Sequence, residues 1–339
     1  MTDAVVARAR GGDEDAFRTL VEPYRRELHL HCYRLLGSVT DADDVLQEVW
    51  LAAWRGLGEY RGDASPRTWL YRIATNRALN AVRDRSRRPP PVPVPPFRPP
   101  EPSRLSEVTW LQPYPDEWLP DPTPGPEARY GVRESVRLAF VAGLARLPPR
   151  QTAVLVLRDV LGYSSAETAD ILGVSATVVK GALQRARAAL ARSGADEVTD
   201  ADAPDRAALA GRFADALVAG DLTALLRLLS DDAWLAMPPA PHEYCGREAV
   251  LAFLRSSQAW RGSRPAGTVP VRANGQAAFG LYLGEPGSVR GRPAGIVVLT
   301  VGGGRVRGVT RFLDDRLFAL FGLASELPLD AGRPGHRPM

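Results

Sequence analysis

The 339-residue chain is 45% hydrophobic and 24% charged, a balance ordinary for soluble globular protein and too polar for a membrane protein. At roughly 100 to 200 residues per domain, its length predicts two or three compact units. No run approaches the ~18 apolar residues of a spanning helix, and Asp3, Arg8 and Arg10 stand where a signal peptide needs an apolar core, so the chain is expected to stay in the cytoplasm.

The two cysteines, Cys32 and Cys245, lie far apart and outside any C-x-x-C spacing. They argue against a disulfide framework or zinc site and predict buried free thiols. The net charge of +4 is small, but the basic residues cluster. Arg61 to Arg88 holds eight arginines against Asp63 and Asp84, and Ser175 to Arg192 holds four basic residues and no acid. Clustering, more than the sum, is what a nucleic-acid surface requires. Lys180 is the chain's single lysine.

Residues 13–87 read as helices, with Phe17, Leu20, Val21, Tyr24 and Leu28 at three- and four-residue spacing. A second helix is predicted from Asp41 to Leu57. Its acids Asp41, Asp43, Asp44 and Glu48 lie opposite an apolar face of Val45, Leu46, Val49, Trp50 and Trp54. A third begins after the Gly62 to Pro66 turn and runs to about Arg83, Pro66 being suited to helix initiation. Between Glu59 and Asn80, Tyr60, Trp69 and Tyr71 are interleaved with Arg61, Arg67, Arg72 and Arg77. Aromatic faces stack on unpaired bases while guanidinium groups follow phosphates, the combination that holds single-stranded DNA.

Helix stops at Pro89, since Pro89 to Pro100 carries eight prolines in twelve residues. An acidic linker follows, with Glu101, Glu107, Asp116, Glu117, Asp121 and Glu127 around the aromatic WLQPYPDEWL. Helical periodicity returns over 127–193. Ser164 and Glu167 have capping-box spacing, Gly173 ends that helix, and Ser175 opens a second one bearing Thr177, Lys180, Gln184, Arg185 and Arg187. This is the helix-turn-helix pattern, whose second helix enters the major groove.

After an acidic stretch at Asp196 to Asp205 the pattern changes. Helices at 205–219 and 221–229, a strand at Ala233 to Met237, a helix after Gly246 and strands at 267–273, 276–283, 294–301 and 304–313 predict an α+β domain.

DADDVLQEVWLAAW with YRGDASPRTWLYRIATNRALN resembles domain 2 of the extracytoplasmic-function (ECF) sigma factors. LPPRQTAVLVLRDVLGYSSAETADILGVSATVVKGALQRARAAL resembles their domain 4, in the family's order and over roughly residues 12–192. The resemblance implies core RNA polymerase, through its clamp and flap regions, and promoter DNA as partners. It places Asp41, Asp44, Val45, Gln47, Glu48 and Trp50 on the helix that docks on the clamp. Tyr60, Arg61, Asp63, Ser65, Arg67, Thr68, Trp69, Arg72, Asn76, Arg77 and Asn80 then lie in or beside the loop and helix that capture the opened minus-ten element. Ser175, Thr177, Val178, Lys180, Gly181, Gln184, Arg185 and Arg187 read the minus-thirty-five element. Base capture of this kind calls for no cofactor. Pro66, Thr177, Val178 and Ala182 depart from the family's common residues, which bears on promoter sequence and not on class.

The linker and the ending VKGALQRAR resemble the sigma subgroup with a C-terminal SnoaL/NTF2-like domain. The expected fold is therefore multidomain: two all-α sigma domains, a helical bundle and a helix-turn-helix, plus a C-terminal α+β cone. The expected boundaries are 1–88 for domain 2, 89–128 for a Pro-rich acidic linker and 129–195 for domain 4, then a linker at 196–204, the cone at 205–325 and a flexible tail at 326–339. The linker either mimics nascent RNA or is a plain spacer. In the resembling subgroup the appended domain regulates in cis, and its cone would take a small apolar ligand. A monomer when free is the family's expectation. Related folds include isomerases with a carboxylate base, so Asp231, Asp232, His242 and Glu243 are the catalytic candidates. The first two read as a helix-to-strand turn and His242 follows a Pro-rich loop, so catalysis is not expected. An operator-binding regulator using the helix-turn-helix alone, or an enzyme with DNA-binding segments attached, would leave the domain 2 string unused.

Overall fold

The computed structural model describes residues 3–85, 95–105, 111–120, 131, 134–192 and 203–329. Glu107, Trp110, Asp121 and Glu127 of the expected linker lie outside the described residues, as do residues 196–202 and residues 330–339 of the expected tail. The chain forms two compact bodies, residues 1–89 with 118–196 and residues 90–117 with 197–339.

The first body is helical. Its helices are α1 (Asp3–Arg10), α2 (Glu14–Val21), α3 (Arg25–Leu36), α4 (Val39–Gly56) and α5 (Pro66–Arg85), then α6 (Leu138–Ala145), α7 (Pro149–Leu155), α8 (Ser165–Leu172) and α9 (Ala176–Arg192). Local chemistry sets the breaks. Asp13 caps α2 through the Ala16 amide at 2.9 Å, and Ser38 caps α4 through the Asp41 amide at 3.2 Å. Ser65 caps α5 through the Thr68 amide at 3.1 Å. A π turn, Val156–Val160, continues α7.

Helix α3 is the axis of this body: Leu28 to Leu36 are all buried, polar His29, His31 and Arg34 included. It can be buried all round because α4 and α5 pack on one side and α6 and α7 on the other. Leu20, Val39, Val49, Leu70 and Tyr71 fill the space between the helices. His31 Nε2 meets Thr75 Oγ1 at 2.9 Å, and Thr75 in turn donates to the Tyr71 carbonyl at 2.7 Å. The Thr75 proton is thus committed, so His31 is the donor of that pair, neutral with its proton on Nε2.

The second body is a sheet with its longer helices on one face and a short helix on the other. The helices are α10 (Ala203–Ala219), α11 (Leu222–Leu228), α12 (Arg247–Arg261) and α13 (Leu317–Leu320). The strands are β1 (Arg104–Leu105), β2 (Leu229–Met237), β3 (Ala240–Cys245), β4 (Ala266–Ala273), β5 (Gln276–Leu283), β6 (Arg290–Gly302), β7 (Arg305–Phe312) and β8 (Leu327–Pro328). Their order is β1-β3-β2-β7-β6-β5-β4, antiparallel except for β2 with β7, and β8 pairs with β6. Helix α10 lies on β4 and β5, and α12 on β2 and β3. Between them Phe213, Leu235, Phe253, Phe279, Val297 and Val309 form the core.

Strand β5 is buried on both faces, against simple alternation. Ala277 and Phe279 enter the core, while Tyr282 stacks edge-on with Phe318 at 5.1 Å beneath the C-terminal segment. Gly280 makes that cover possible, since a Cβ there would lie 2.6 Å from Leu323 Cδ1. The expected tail must accordingly be corrected at its start: Leu327 and Pro328 pair with Gly291 and Arg290, and Leu329 is 5% exposed. The four strands predicted over 267–313 land on β4 to β7, whereas β3 was not expected. Asp231 and Asp232 sit within β2 rather than in a turn, and His242 sits within β3. Cys32 is buried as expected, but Cys245 is only half-buried.

Part of the expected linker belongs to this second body. Arg104 and Leu105 form a strand on β3, and Arg104 pairs with Glu243. Tyr114, fully buried, exchanges bonds with Asn274: its amide donates to Asn274 Oδ1 at 2.7 Å and its carbonyl accepts from the Asn274 amide at 2.9 Å. Asp116 accepts from the Gly275 amide at 2.7 Å and pairs with Arg272 at 3.0 Å. The partner is the Asn-Gly hairpin joining β4 to β5, where Asn274 adopts φ 58°.

Candidate nucleic-acid interface

Helix α4 has the two faces its sequence predicts. Asp44, Gln47 and Glu48 are exposed, Asp41 and Trp50 are half-buried, and Arg25 stacks over Trp50 at 5.7 Å. Val45 is buried at 4% exposure, so of the expected clamp-docking residues it is the one whose position is that of a core residue. Leu51 was not anticipated. It is 57% exposed and lies one turn beyond Gln47 and Glu48, so the acidic face carries an apolar side chain. An apolar residue on the charged phase of the helix was the available signal.

Helix α5 divides the expected minus-ten residues in two. Arg61, Asp63 and Ser65 in the preceding loop are exposed, and so is the stripe Arg72, Asn76, Asn80 with Arg77 beside it, spaced four residues apart. Arg77 is 3.8 Å from Glu48 across an exposed gap. Thr68 is half-buried, its hydroxyl 3.0 Å from Ser65. Tyr60, Trp69 and Tyr71 turn inward. Tyr71 is fully buried and Tyr60 is 9% exposed, its hydroxyl donating to the Ala64 carbonyl at 2.6 Å. Trp69 is half-buried against Tyr60, with ring centroids 4.9 Å apart. In this arrangement these aromatics stack on the bundle. Bundle helices need apolar contact more than they need a free base platform.

Arg67 is also turned inward. Its Nε lies 3.0 Å and its Nη2 2.8 Å from Glu27 Oε2, and its guanidinium sits 4.8 Å over the Tyr71 ring and 5.8 Å over Tyr163. Burial opposes the charge, but the Glu27 bonds and the neighbouring Tyr71 hold Arg67 above its ordinary pKa. Burial, followed by the Glu27 charge, pushes the Tyr71 phenol up. Both tyrosines stay neutral and the arginine stays charged at any physiological pH.

Tyr163 belongs to the second helical group, so this cluster joins the two groups within one body. A second joint is Arg34, buried at 4% exposure, whose Nη2 donates to Ser135 Oγ at 2.6 Å and Nε to the Ser135 carbonyl at 3.2 Å. Helix α5 also packs on α8.

The helix-turn-helix forms as its sequence predicts. Ser164 accepts from the Glu167 amide at 3.1 Å, and Glu167 accepts from the Ser164 amide at 2.7 Å. That backbone bond holds the Glu167 carboxyl below its usual range. Gly173 takes φ 63°, the left-handed turn that an L side chain disfavours. On α9, Thr177, Val178, Lys180, Gln184, Arg185 and Arg187 are exposed, Ser175 is exposed just before it, and Gly181 is half-buried. Val179, Ala182, Leu183 and Ala186 face inward. Arg187 is held by Asp159 at 2.7 and 2.8 Å, so the outward stripe is carried by Thr177, Val178, Lys180, Gly181, Gln184 and Arg185.

The catalytic candidates do not converge. Asp231 pairs with Arg247 at 2.7 Å, Asp232 with Arg307 at 2.6 Å and Glu243 with Arg104. Neither they nor His242 line the domain's cavity. Among the described residues no group of three His, Cys, Asp or Glu is placed to hold a metal ion, and no helix is long and apolar enough to cross a membrane.

Comparison with known proteins bears on the same segments. The Sigma-70 region 2 family matches residues 20–88 and Sigma-70, region 4 matches residues 137–190. The chain is 42% identical over 329 residues to the ECF RNA polymerase sigma factor SigG of Mycobacterium tuberculosis, an alignment covering 95% of this chain and 86% of SigG. It is 38% identical over 181 residues to SigM of the same organism, covering 53% of this chain and 78% of SigM. The crystal structure of the M. tuberculosis extracytoplasmic function sigma factor SigJ superposes with a TM-score of 0.58 at 25% identity, covering 91% of this chain and 99% of SigJ. The chain therefore belongs to the ECF RNA polymerase sigma factors, proteins that bind RNA polymerase and recognise promoters.

Proposed function

We propose that this sigma factor is switched in cis by the body that holds its own linker. The linker connects domain 2, ending at α5, to domain 4, beginning near Glu134, and residues 95–117 of it are part of the C-terminal sheet domain. The mutual Tyr114 and Asn274 bonds, with Asp116 on Gly275 and Arg272, carry this reading. In the same chain domains 2 and 4 share one body, closed through Arg67 with Tyr163 and Arg34 with Ser135. Minus-ten and minus-thirty-five elements lie about 25 base pairs apart, roughly 85 Å at 3.4 Å per pair. A closed pair of domains does not reach across that distance. Initiation therefore requires the pair to part and the linker to lengthen, and docking about half of the linker on the sheet opposes both.

On promoter DNA, Lys180, Gln184 and Arg185 of α9 approach base edges and phosphates of the minus-thirty-five element. Arg61, Arg72, Asn76 and Asn80 meet the opened minus-ten strand, and Asp44, Gln47, Glu48 and Leu51 meet core polymerase in the cytoplasm. The free protein is a monomer.

The test is run-off transcription with purified core polymerase and full-length protein, comparing the natural chain with an Asp116→Ala, Asn274→Gly double variant. Glycine keeps the left-handed turn and removes only the side-chain acceptor. Release of the linker, visible as new proteolytic cleavage near Tyr114, should raise transcript yield several-fold at limiting sigma factor. Cleavage at Tyr114 without any rise in yield would discard the switch.

A further inference from the structure

The C-terminal domain contains a partly open cavity of about 40 Å³, space for roughly three waters. Its wall is apolar, built by Phe213, Leu235, Phe253, Leu281 and Val297. Polar side chains also line it, Ser257, Gln258, Arg261 and Arg311 among them, and no carboxylate does.

The arginines are placed where the fold calls for apolar residues. Arg311 pairs in register with Val297 on β6 and is two residues from Val309, so strand alternation turns it to the face of those two core residues. Its Nη2 donates to the Ala294 carbonyl at 3.1 Å, but its Nε is buried without a hydrogen-bond partner. Arg261, at the end of α12, donates through Nη1 to the Leu217 carbonyl at 2.9 Å, and its Nε is likewise buried and unpartnered. Gln258 Nε2, one turn earlier, is a third buried donor without a partner. Burial alone lowers both arginines, Arg311 to about 10, with no acid acting on either. Both remain cations at neutral pH.

Arg261 and Arg311 are half-buried, but shielding the Nε of a guanidinium from water without a counter-ion or acceptor is costly, and the idle Gln258 amide adds to the cost. Two cations and an amide converging on one greasy hollow are offset by a ligand with an anionic head and an apolar body. We propose that this cavity is a binding site for a small apolar carboxylate, its carboxylate held by Arg311, Arg261 and the Gln258 amide and its hydrocarbon part among Phe213, Leu235 and Phe253. The wall is also in contact with the linker: Phe97 stacks on Phe253 and Trp260 at 5.5 and 5.9 Å. Occupancy therefore bears on the segment that the proposed cis switch must release, and this second step alone rests on that reading.

Binding is tested on the full-length protein by calorimetry and thermal unfolding, with propionate and butyrate, whose short chains match a space of about three waters, as probes and propanol, butanol and butylamine as matched controls. The carboxylates should bind and raise Tm, the alcohols should bind about 30-fold more weakly, and the amine should not bind, from the usual strength of charge-assisted hydrogen bonds. Arg311→Met should erase the preference for acid over alcohol. If that variant fails to unfold cooperatively, Arg261→Met provides the same comparison. No binding of either carboxylate, or equal affinity for acid and alcohol in the natural chain, overturns the site. Neither result touches promoter recognition, since no transcription enters the assay. Carboxylate binding with unaltered run-off yield would keep the site and discard its link to the linker.

Discussion

Helices α5 and α9 both carry basic residues on their exposed faces, yet they are built differently. On α9 the outward stripe is free of the fold, and its buried residues are small and aliphatic, Val179, Ala182, Leu183 and Ala186. On α5 the exposed stripe is polar, while the residues suited to stacking, Trp69 and Tyr71, and the cation Arg67 are turned inward. A helix that reads an intact duplex can present its side chains before DNA arrives. Helix α5 carries its aromatic residues in the bundle, and part of that inner side is also used to hold domain 4 through Tyr163.

The largest effect separates the two helices by step. An Arg72→Ala, Asn76→Ala, Asn80→Ala triple variant should lose about 100-fold or more in open-complex formation, since each removed contact is worth roughly 1 to 3 kcal/mol. Permanganate reactivity of unpaired thymines reports opening, and holoenzyme affinity for duplex promoter should change little. A Gln184→Ala, Arg185→Ala variant should do the reverse, weakening duplex binding and being rescued by lower salt or more holoenzyme. Loss of duplex binding by the α5 variant would break the division.

The inner side of α5 gives the next effect, in stability rather than DNA. Tyr71 stacks edge-on with His31 at 5.0 Å, and burial, with Arg34 and Arg67 adding to it, depresses the His31 pKa from 6.5 to about 3. The unfolded chain takes up this proton below pH 6.5 and the folded chain only near pH 3, so acid favours unfolding throughout that window and the effect vanishes above it. The slope is at most about 1.4 kcal/mol per pH unit, so roughly 2 kcal/mol is lost between pH 6 and 4.5. Carboxylates titrate in the same range, so the measurement is the difference in pH slope of chemical unfolding between the natural chain and His31→Asn. Equal slopes would mean that His31 is protonated in the fold.

Much of this contrast was legible in the sequence. The helix-turn-helix was, because the capping box, the left-handed glycine and the second cap are local and each needs only neighbouring backbone. So were β4 to β7, whose runs are long and β-rich. Two things were not. The inward turn of Tyr60 and Tyr71 depends on which face α3 occupies, a tertiary fact that spacing alone does not contain. The docking of the linker was hidden because a proline-rich stretch reads as spacer, although buried Tyr114 and half-buried Phe97, aromatic residues in such a stretch, were the trace it left. Arg311 was unreadable for a related reason: its strand alternates correctly, and only the register with Val297 shows that the charge points inward.

The smallest effect concerns what holds α3, and with it α5, beside domain 4. Ser135→Ala removes the 2.6 Å acceptor of buried Arg34 and leaves the 3.2 Å backbone bond in place. A lost charged hydrogen bond with partial compensation costs about 1 kcal/mol, and that cost falls on the closed pairing because Ser135 and Arg34 lie on opposite sides of it. Under the proposed cis switch the open form, populated more by about fivefold, is the one that spans a promoter. The variant should therefore unfold slightly more easily yet bind core polymerase and promoter more tightly, a pairing of signs that damage to either domain's own core would not produce. Fluorescence anisotropy with labelled promoter and limiting core measures the affinity. A variant that loses both stability and affinity would show that the closed pairing seen in α5 and α8 is also the working arrangement, and that α5 opens DNA without first parting from domain 4.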